Sequence, residues 1–129
     1  MTNTFNIEII SPDKTILSAE TSQVTIPAFE GLMTILKDHI SLITFLRPGF
    51  LEILTTSKTL SYYIEEGTVE FYKNKLLILS STVKNKKNFS SNEITKKLEE
   101  AQKIENNDAL SDKEKYKLSY KIDTLKKIK

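Results

Sequence analysis

The hydrophobic pattern of this chain changes period once, near Lys84, and that switch restricts the fold to two unlike parts. Before it, apolar residues recur at every second position in short runs. FNIEII puts Phe5, Ile7 and Ile9 on one side and Asn6 and Glu8 on the other, and QVTIPA places Val24 and Ile26 together. A period of two belongs to half-buried β-strands, whose successive side chains point to opposite faces. After the switch, Ile94, Leu98 and Ala101 recur at i, i+4, i+7, and so do Leu118, Ile122 and Leu125. That spacing makes one stripe along a helix. The expected fold is α+β: an antiparallel β-sandwich over residues 1–87, then residues 88–129 as a linker plus an antiparallel two-helix hairpin.

Turn residues divide the first part. SPDKT, residues 11–15, combines a fixed φ at Pro12 with the local hydrogen-bonding side chain of Asp13. Residues 30–53 read as Gly31, an apolar turn, His39, an apolar run stopped by Pro48-Gly49, and a further strand. LSYYIEEGTVEFYKNKLLIL reads as three strands with turns at Glu66-Gly67 and Lys73-Asn74. Tyr62, Tyr63, Phe71 and Tyr72 alternate along them as core and cross-strand residues. KNKKNFSSN carries no periodicity and reads as a linker. Each helix opens with a Ser-x-x-Glu capping box, Ser90 to Glu93 and Ser111 to Glu114, and ENNDAL joins them. Isolated helices shorter than about 12–15 residues are marginal in water. A short hairpin with one narrow stripe is therefore expected to be held loosely to the sandwich and to be able to leave it.

The residue inventory excludes several chemistries. The chain has 129 residues and no cysteine, so it has no disulfide, no thiolate metal site and no Cys nucleophile. His39 is its single histidine, with no evident partner, and reads as a structural or interfacial residue. No catalytic residue, metal site or cofactor site is expected. A net charge of +2 with Arg47 as the lone arginine argues against nucleic-acid binding. No apolar stretch approaches the roughly 20 residues that cross a bilayer. The start, MTNTFNIEII, lacks a basic region followed by an apolar run and reads as a retained first strand. Charge gathers at the end: residues 112–129 carry seven Lys against Asp112, Glu114 and Asp123. Lys113, Lys115, Lys117, Lys121 and Lys126 would give the last helix a basic face suited to an acidic protein surface.

The motifs in order resemble one family. FNIEIISPD, then VTIPAFEGLMTILKDHISLITFLRPGFLEI, then YYIEEGTVEF place Pro27, Glu30, Gly31, Leu36, His39, Leu42, Thr44, Leu46, Pro48, Gly49, Gly67 and Glu70 in register with the epsilon subunits of F-type ATP synthases. The resemblance runs nearly end to end and is strongest from Phe5 to Leu79. It implies a non-catalytic central-stalk subunit that binds the gamma subunit and the membrane c-ring. Such a subunit would lie at the cytoplasmic face of a bacterial membrane, held there only through its partners. It further implies that Glu30, Gly31, Leu32, Asp38 and His39 form the ring-facing edge. In several bacterial members the hairpin extends into the catalytic head and blocks ATP hydrolysis, its basic helix meeting the beta subunit. This chain departs from the family pattern at Leu32, Thr34, Lys37-Asp38 and Glu66. SDKEKY keeps only Asp112 of the family's nucleotide motif, so no tight ATP site is expected. The competing readings are a stand-alone β-sandwich binding module with a helical tail and a hydrolase using His39.

Overall fold

A computed structural model describes residues 3–128; Met1, Thr2 and Lys129, at the outer ends of the two expected segments, lie outside the described residues. The strands are β1 (Phe5–Ile10), β2 (Thr15–Thr21), β3 (Gln23–Ala28), β4 (Gly31–Leu36), β5 (Leu42–Leu46), β6 (Gly49–Leu54), β7 (Thr59–Ile64), β8 (Gly67–Tyr72), β9 (Lys75–Leu79) and β10 (Lys84–Asn85). A 3₁₀ turn, Lys86–Asn88, leads to helices α1 (Ser91–Glu105) and α2 (Asp112–Ile128).

One layer runs β10-β7-β6-β3-β4 and the other β5-β8-β9-β1-β2. They join at a single bridge, Ala28 opposite Leu46. Phe29 N–H donates to Phe45 O and Arg47 N–H to Pro27 O beside that bridge, each at 2.9 Å. Between the layers lies one apolar core that includes Ile7, Ile9, Ile26, Ile35, Leu51, Ile53, Leu76 and Ile78, all without exposure. Pro48-Gly49 turns the chain from one layer to the other under a close constraint, since a Cβ at Gly49 would fall 2.6 Å from Pro27 Cβ.

The sandwich is as expected except in pairing direction at one place: β1 runs parallel to β9, from Asn6 opposite Lys75 to Ile10 opposite Leu79. Parallel neighbours need a long crossover. These two strands are separated by most of the sandwich, so the connection exists, and a period-two pattern is silent about direction. The three strands of residues 59–79 lie where predicted. The Lys73-Asn74 turn has φ of 48° and 60°, the left-handed pair of a tight hairpin.

Residues 31–36, expected as an apolar turn, are instead a full strand paired with β3. Leu32, Thr34 and Leu36 face out while Ile35 is buried. Apolar residues on both faces hid the alternation. The polar stretch after Lys84 is not a free linker either. Lys84 and Asn85 pair with Tyr63 and Tyr62, and Lys87 N–H donates to Asn85 Oδ1 at 3.0 Å. The expected boundary at 87/88 falls inside the 3₁₀ turn. Tyr72, expected among the core and cross-strand residues, is a cross-strand neighbour of Lys75 and is 55% exposed because it ends β8 on the outer face.

Both helices are capped by the predicted serines. At Ser111 the box is reciprocal: Glu114 N–H donates to Ser111 Oγ at 3.1 Å and Ser111 N–H to Glu114 Oε1 at 3.2 Å. At Ser90 it is half made, because Glu93 N–H reaches Ser90 Oγ at 3.2 Å while the Glu93 carboxylate takes Lys84. The two stripes meet as predicted, but a sandwich residue completes their core. Tyr63 of β7 is buried among Ile94, Leu98, Ala101, Ile122 and Leu125.

Candidate interaction surfaces

The five residues expected on one edge lie at opposite ends of β4. Glu30, Gly31 and Leu32 sit at its start, Asp38 and His39 beyond its end, with strand residues 33–36 between the groups. At roughly 3.3 Å per residue the whole six-residue strand is about 20 Å long. At the first end, Thr44 Oγ1 is 3.2 Å from both Glu30 carboxylate oxygens, and Leu32 is 70% exposed. At the second end, Asp38 has φ 66° and Asn74 has φ 60°. Asp38 N–H donates to Asn74 Oδ1 at 2.7 Å, and Asn74 Nδ2 donates to Asp38 Oδ1 at 2.9 Å. This reciprocal pair ties one layer to the other, and Asp is among the few residues that tolerate the left-handed region. His39 Nδ1 lies 2.7 Å from Ile40 O and its ring stands edge-on to Phe71. Those contacts suit a packing histidine.

The inventory did not single out an apolar stripe on the outer face of β5. Ile43 is 75% and Phe45 62% exposed, with Ile40 beside them and Leu79 two strands away. β5 pairs with β8 along its length, but with β3 only at Leu46. Its other edge is therefore largely unpaired. The signal was present in HISLITFL, where apolar residues occupy both faces of an antiparallel strand whose outer face has no covering layer.

The lysines of α2 also divide. Lys113, Lys117 and Lys121 recur at i, i+4, i+8 and share the face toward the sandwich, while Lys115 and Lys126 are exposed elsewhere. Lys121 Nζ lies 3.6 Å from Glu65 Oε1, and Lys97 of α1 lies 3.7 Å from Glu65 Oε2. Tyr63 Oη donates to the same carboxylate at 2.8 Å. One sandwich residue thus holds both helices. On the same face of α2, Tyr116 Oη donates to Phe29 O, and the buried Arg47 guanidinium stacks 3.7 Å above the Tyr120 ring. The hairpin expected to be loose is docked through these contacts. Burial, reinforced by the Glu65 charge and hydrogen bond, pushes the Tyr63 phenol far above its ordinary value. The hydrogen bond from Lys84 holds the Glu93 carboxyl below its ordinary value.

Among the described residues no three His, Cys, Asp or Glu side chains gather to hold a metal ion. Among them, too, no helix is long and apolar enough to cross a membrane. What the geometry offers is surface: an exposed apolar stripe, two polar strand ends and a docked basic helix. Residues 4–86 match the family model described as ATP synthase, Delta/Epsilon chain, beta-sandwich domain. The chain belongs to the ATP synthase delta/epsilon family. The expectation of an epsilon-type chain is borne out across its length. It is 44% identical over 127 residues to the ATP synthase epsilon chain of Pelagibacter ubique, covering 98% of both chains. It is 31% identical over 119 residues to the chloroplastic epsilon chain of Pyropia yezoensis, covering 92% of this chain and 88% of that one. Its fold matches a chain in the OSCP/F1/c-ring structure of the Euglena gracilis mitochondrial ATP synthase with a TM-score of 0.76 and 19% identity, covering 98% of this chain and 79% of that one. A second match, at TM-score 0.67 and 18% identity, is to a chain in the central stalk/c-ring structure of the Tetrahymena thermophila mitochondrial enzyme, covering 95% of this chain and 93% of that one.

Proposed function

We propose that this epsilon-type chain is a non-catalytic central-stalk subunit of an F-type ATP synthase. It couples rotation of the membrane c-ring to the catalytic head. The observation that carries this reading is the outer face of β5, where Ile40, Ile43 and Phe45 stand exposed beside a largely unpaired strand edge. Exposed apolar residues in this density mark a surface that a partner covers. We assign this face to the gamma subunit. The two ends of β4 are then separate contacts, and we give the ring to the Glu30-Gly31-Leu32 end, where Leu32 projects into solvent. Asp38 and His39, tied to Asn74 and Phe71, support the shape of the other end. The subunit sits at the cytoplasmic face of a bacterial membrane through its partners alone.

Residues 1–87 act as the anchor and residues 88–129 as the regulatory part. In the docked form Lys121 is committed to Glu65, and Lys113 and Lys117 face the sandwich. Lys115 and Lys126 of the basic set are then presented away from the sandwich, and Lys113, though exposed, lies on the sandwich side with Lys117. Contact between all five lysines and an acidic surface of the beta subunit therefore requires the hairpin to leave its seat, and in that extended form it inhibits ATP hydrolysis. The test is hydrolysis by the reconstituted catalytic head with the full chain and with a chain ending at Lys87. Release of activity on truncation with gamma binding intact supports the anchor-and-brake division. Equal activity makes the hairpin a passive part. Failure of both chains to bind gamma overturns the stalk reading.

A further inference from the structure

A cavity of about 890 Å³ lies where the end of the sandwich meets the first turns of α2. Its apolar wall comes from Ile10, Phe29, Phe45, Leu46 and Leu79. Its hydroxyl-bearing residues are Ser11, Thr68, Ser80 and Ser81. Lys113 and Lys117 reach it from α2, one helical turn apart, and neither forms an ion pair among the described residues. Two carboxylate residues also line it. Glu30 already accepts from Thr44, and Glu66 is the remaining negative group. This size lies within the range of roughly 300–1,000 Å³ that small-molecule sites occupy, and an apolar wall with a few polar groups is their usual lining.

We propose that this cavity binds an amphiphilic anion: a single carboxylate-type head on Lys113 and Lys117, with an acyl chain along Phe45, Leu46 and Leu79. The argument rests on two unmet needs. Leu79 is 45% exposed, apolar surface that folding leaves in water and that an acyl chain would cover, and Phe45, 62% exposed in the free protein, is a position where the acyl chain and the gamma subunit would compete. Lys113 and Lys117 are cations without a carboxylate partner in a partly enclosed site, where an anion gains more than in bulk water. An inorganic anion would satisfy only the second need and an uncharged hydrocarbon only the first. Because the sandwich and α2 each supply part of the wall, the ligand recognises the docked hairpin. It stabilises that arrangement in proportion to its concentration. The site is complete within one chain, so its test does not depend on the stalk assignment.

The probe is dodecanoate below its micelle concentration, titrated calorimetrically into the full-length chain, with decanoate and octanoate alongside. Saturable binding is expected, with each added methylene tightening it about fourfold. Lys113→Ala with Lys117→Ala alters two solvent-accessible positions and should weaken dodecanoate about tenfold or more. Glu66→Gln removes the opposing charge and should tighten it about two- to fivefold. Dodecanoate should also slow hydrogen exchange of α2 amides. Vesicles containing anionic phospholipid separate the two sources of this chemistry. Lysine-dependent co-sedimentation identifies a lipid headgroup, and binding of the monomeric acid alone identifies a free carboxylate. Absence of saturable binding, indifference to chain length or equal affinity in the double lysine variant overturns the proposal.

Discussion

The sandwich and the hairpin are both built from amphipathic elements, yet they are held by different kinds of contact. The sandwich closes a core to which both layers contribute, and nearly every strand is stitched to a neighbour along its length. The hairpin closes a small core around one borrowed residue, Tyr63, and meets the sandwich through a few side chains: Glu65, Arg47 and the Phe29 carbonyl among them. Helical backbone bonds are internal to each helix, so a helix can leave its seat without breaking its own ladder. A strand cannot. The same chain therefore pairs a cooperative unit with a part whose seat can be weakened one residue at a time.

The largest expected effect lies in the sandwich. Ile53→Ala leaves a void between the layers and should cost about 2–5 kcal/mol. Chemical denaturation should show the loss in all probes at once, and a loss confined to one layer would break the view of the sandwich as a single unit. Gly67 offers a backbone counterpart. Its φ is +159°, and a Cβ there would lie 2.6 Å from Leu79 O, so Gly67→Ala should destabilise the same unit.

Leu125→Ala also empties a fully buried position, but in the small core. Its cost, again about 2–5 kcal/mol at the site, should appear as lost amide protection in α1 and α2. The β-ladder should keep its protection. Equal loss in both regions would show that the hairpin and the sandwich unfold together.

Glu65→Gln is a smaller perturbation. Its carboxylate is partly exposed and faces two lysines that are themselves partly exposed. Solvent screening limits such pairs to about 1 kcal/mol or less in total. The expected result is faster exchange in both helices at low salt, converging with the parent at high salt. Tyr63 adds a pH dependence at the alkaline end. Its phenol is held neutral by burial, so the folded value lies above the ordinary value near 10. The native state then keeps a proton that the unfolded chain gives up, and stability falls as pH rises beyond about 10. Tyr63→Phe should flatten that fall.

The smallest effect concerns Glu93, whose carboxyl is held below its ordinary value chiefly by the Lys84 hydrogen bond. A lowered value means that its contribution is present above the unfolded carboxylate range and is lost as pH falls through the folded value. Acidification should loosen the start of α1 first, and Glu93→Gln should remove that early step as read from the exchange of residues 93–97.

Much of this architecture was written locally. Phe5, Ile7 and Ile9 alternate in six residues, and the serine caps need only the next three positions. Strand β4 was missed because Leu32 and Leu36 are apolar on its outer face, which erased the period. The parallel β1–β9 pair was out of reach because pairing direction is a property of chain topology. The surfaces were less legible still. Glu30 and His39 are nine positions apart in the chain, but an extended strand of six residues holds them at opposite ends.

The sequence by itself determined that strands come first and helices last. It placed the helix starts at two serines, excluded cysteine chemistry and established the family, because propensity, periodicity and motif order reside in short segments. Only the tertiary structure decided which lysines of α2 face the sandwich. It also decided that Tyr63 serves the hairpin rather than the sandwich core, and that Ile43 and Phe45 remain uncovered. These outcomes depend on which surfaces meet across distant parts of the chain, and burial is settled by that meeting rather than by any residue's own polarity.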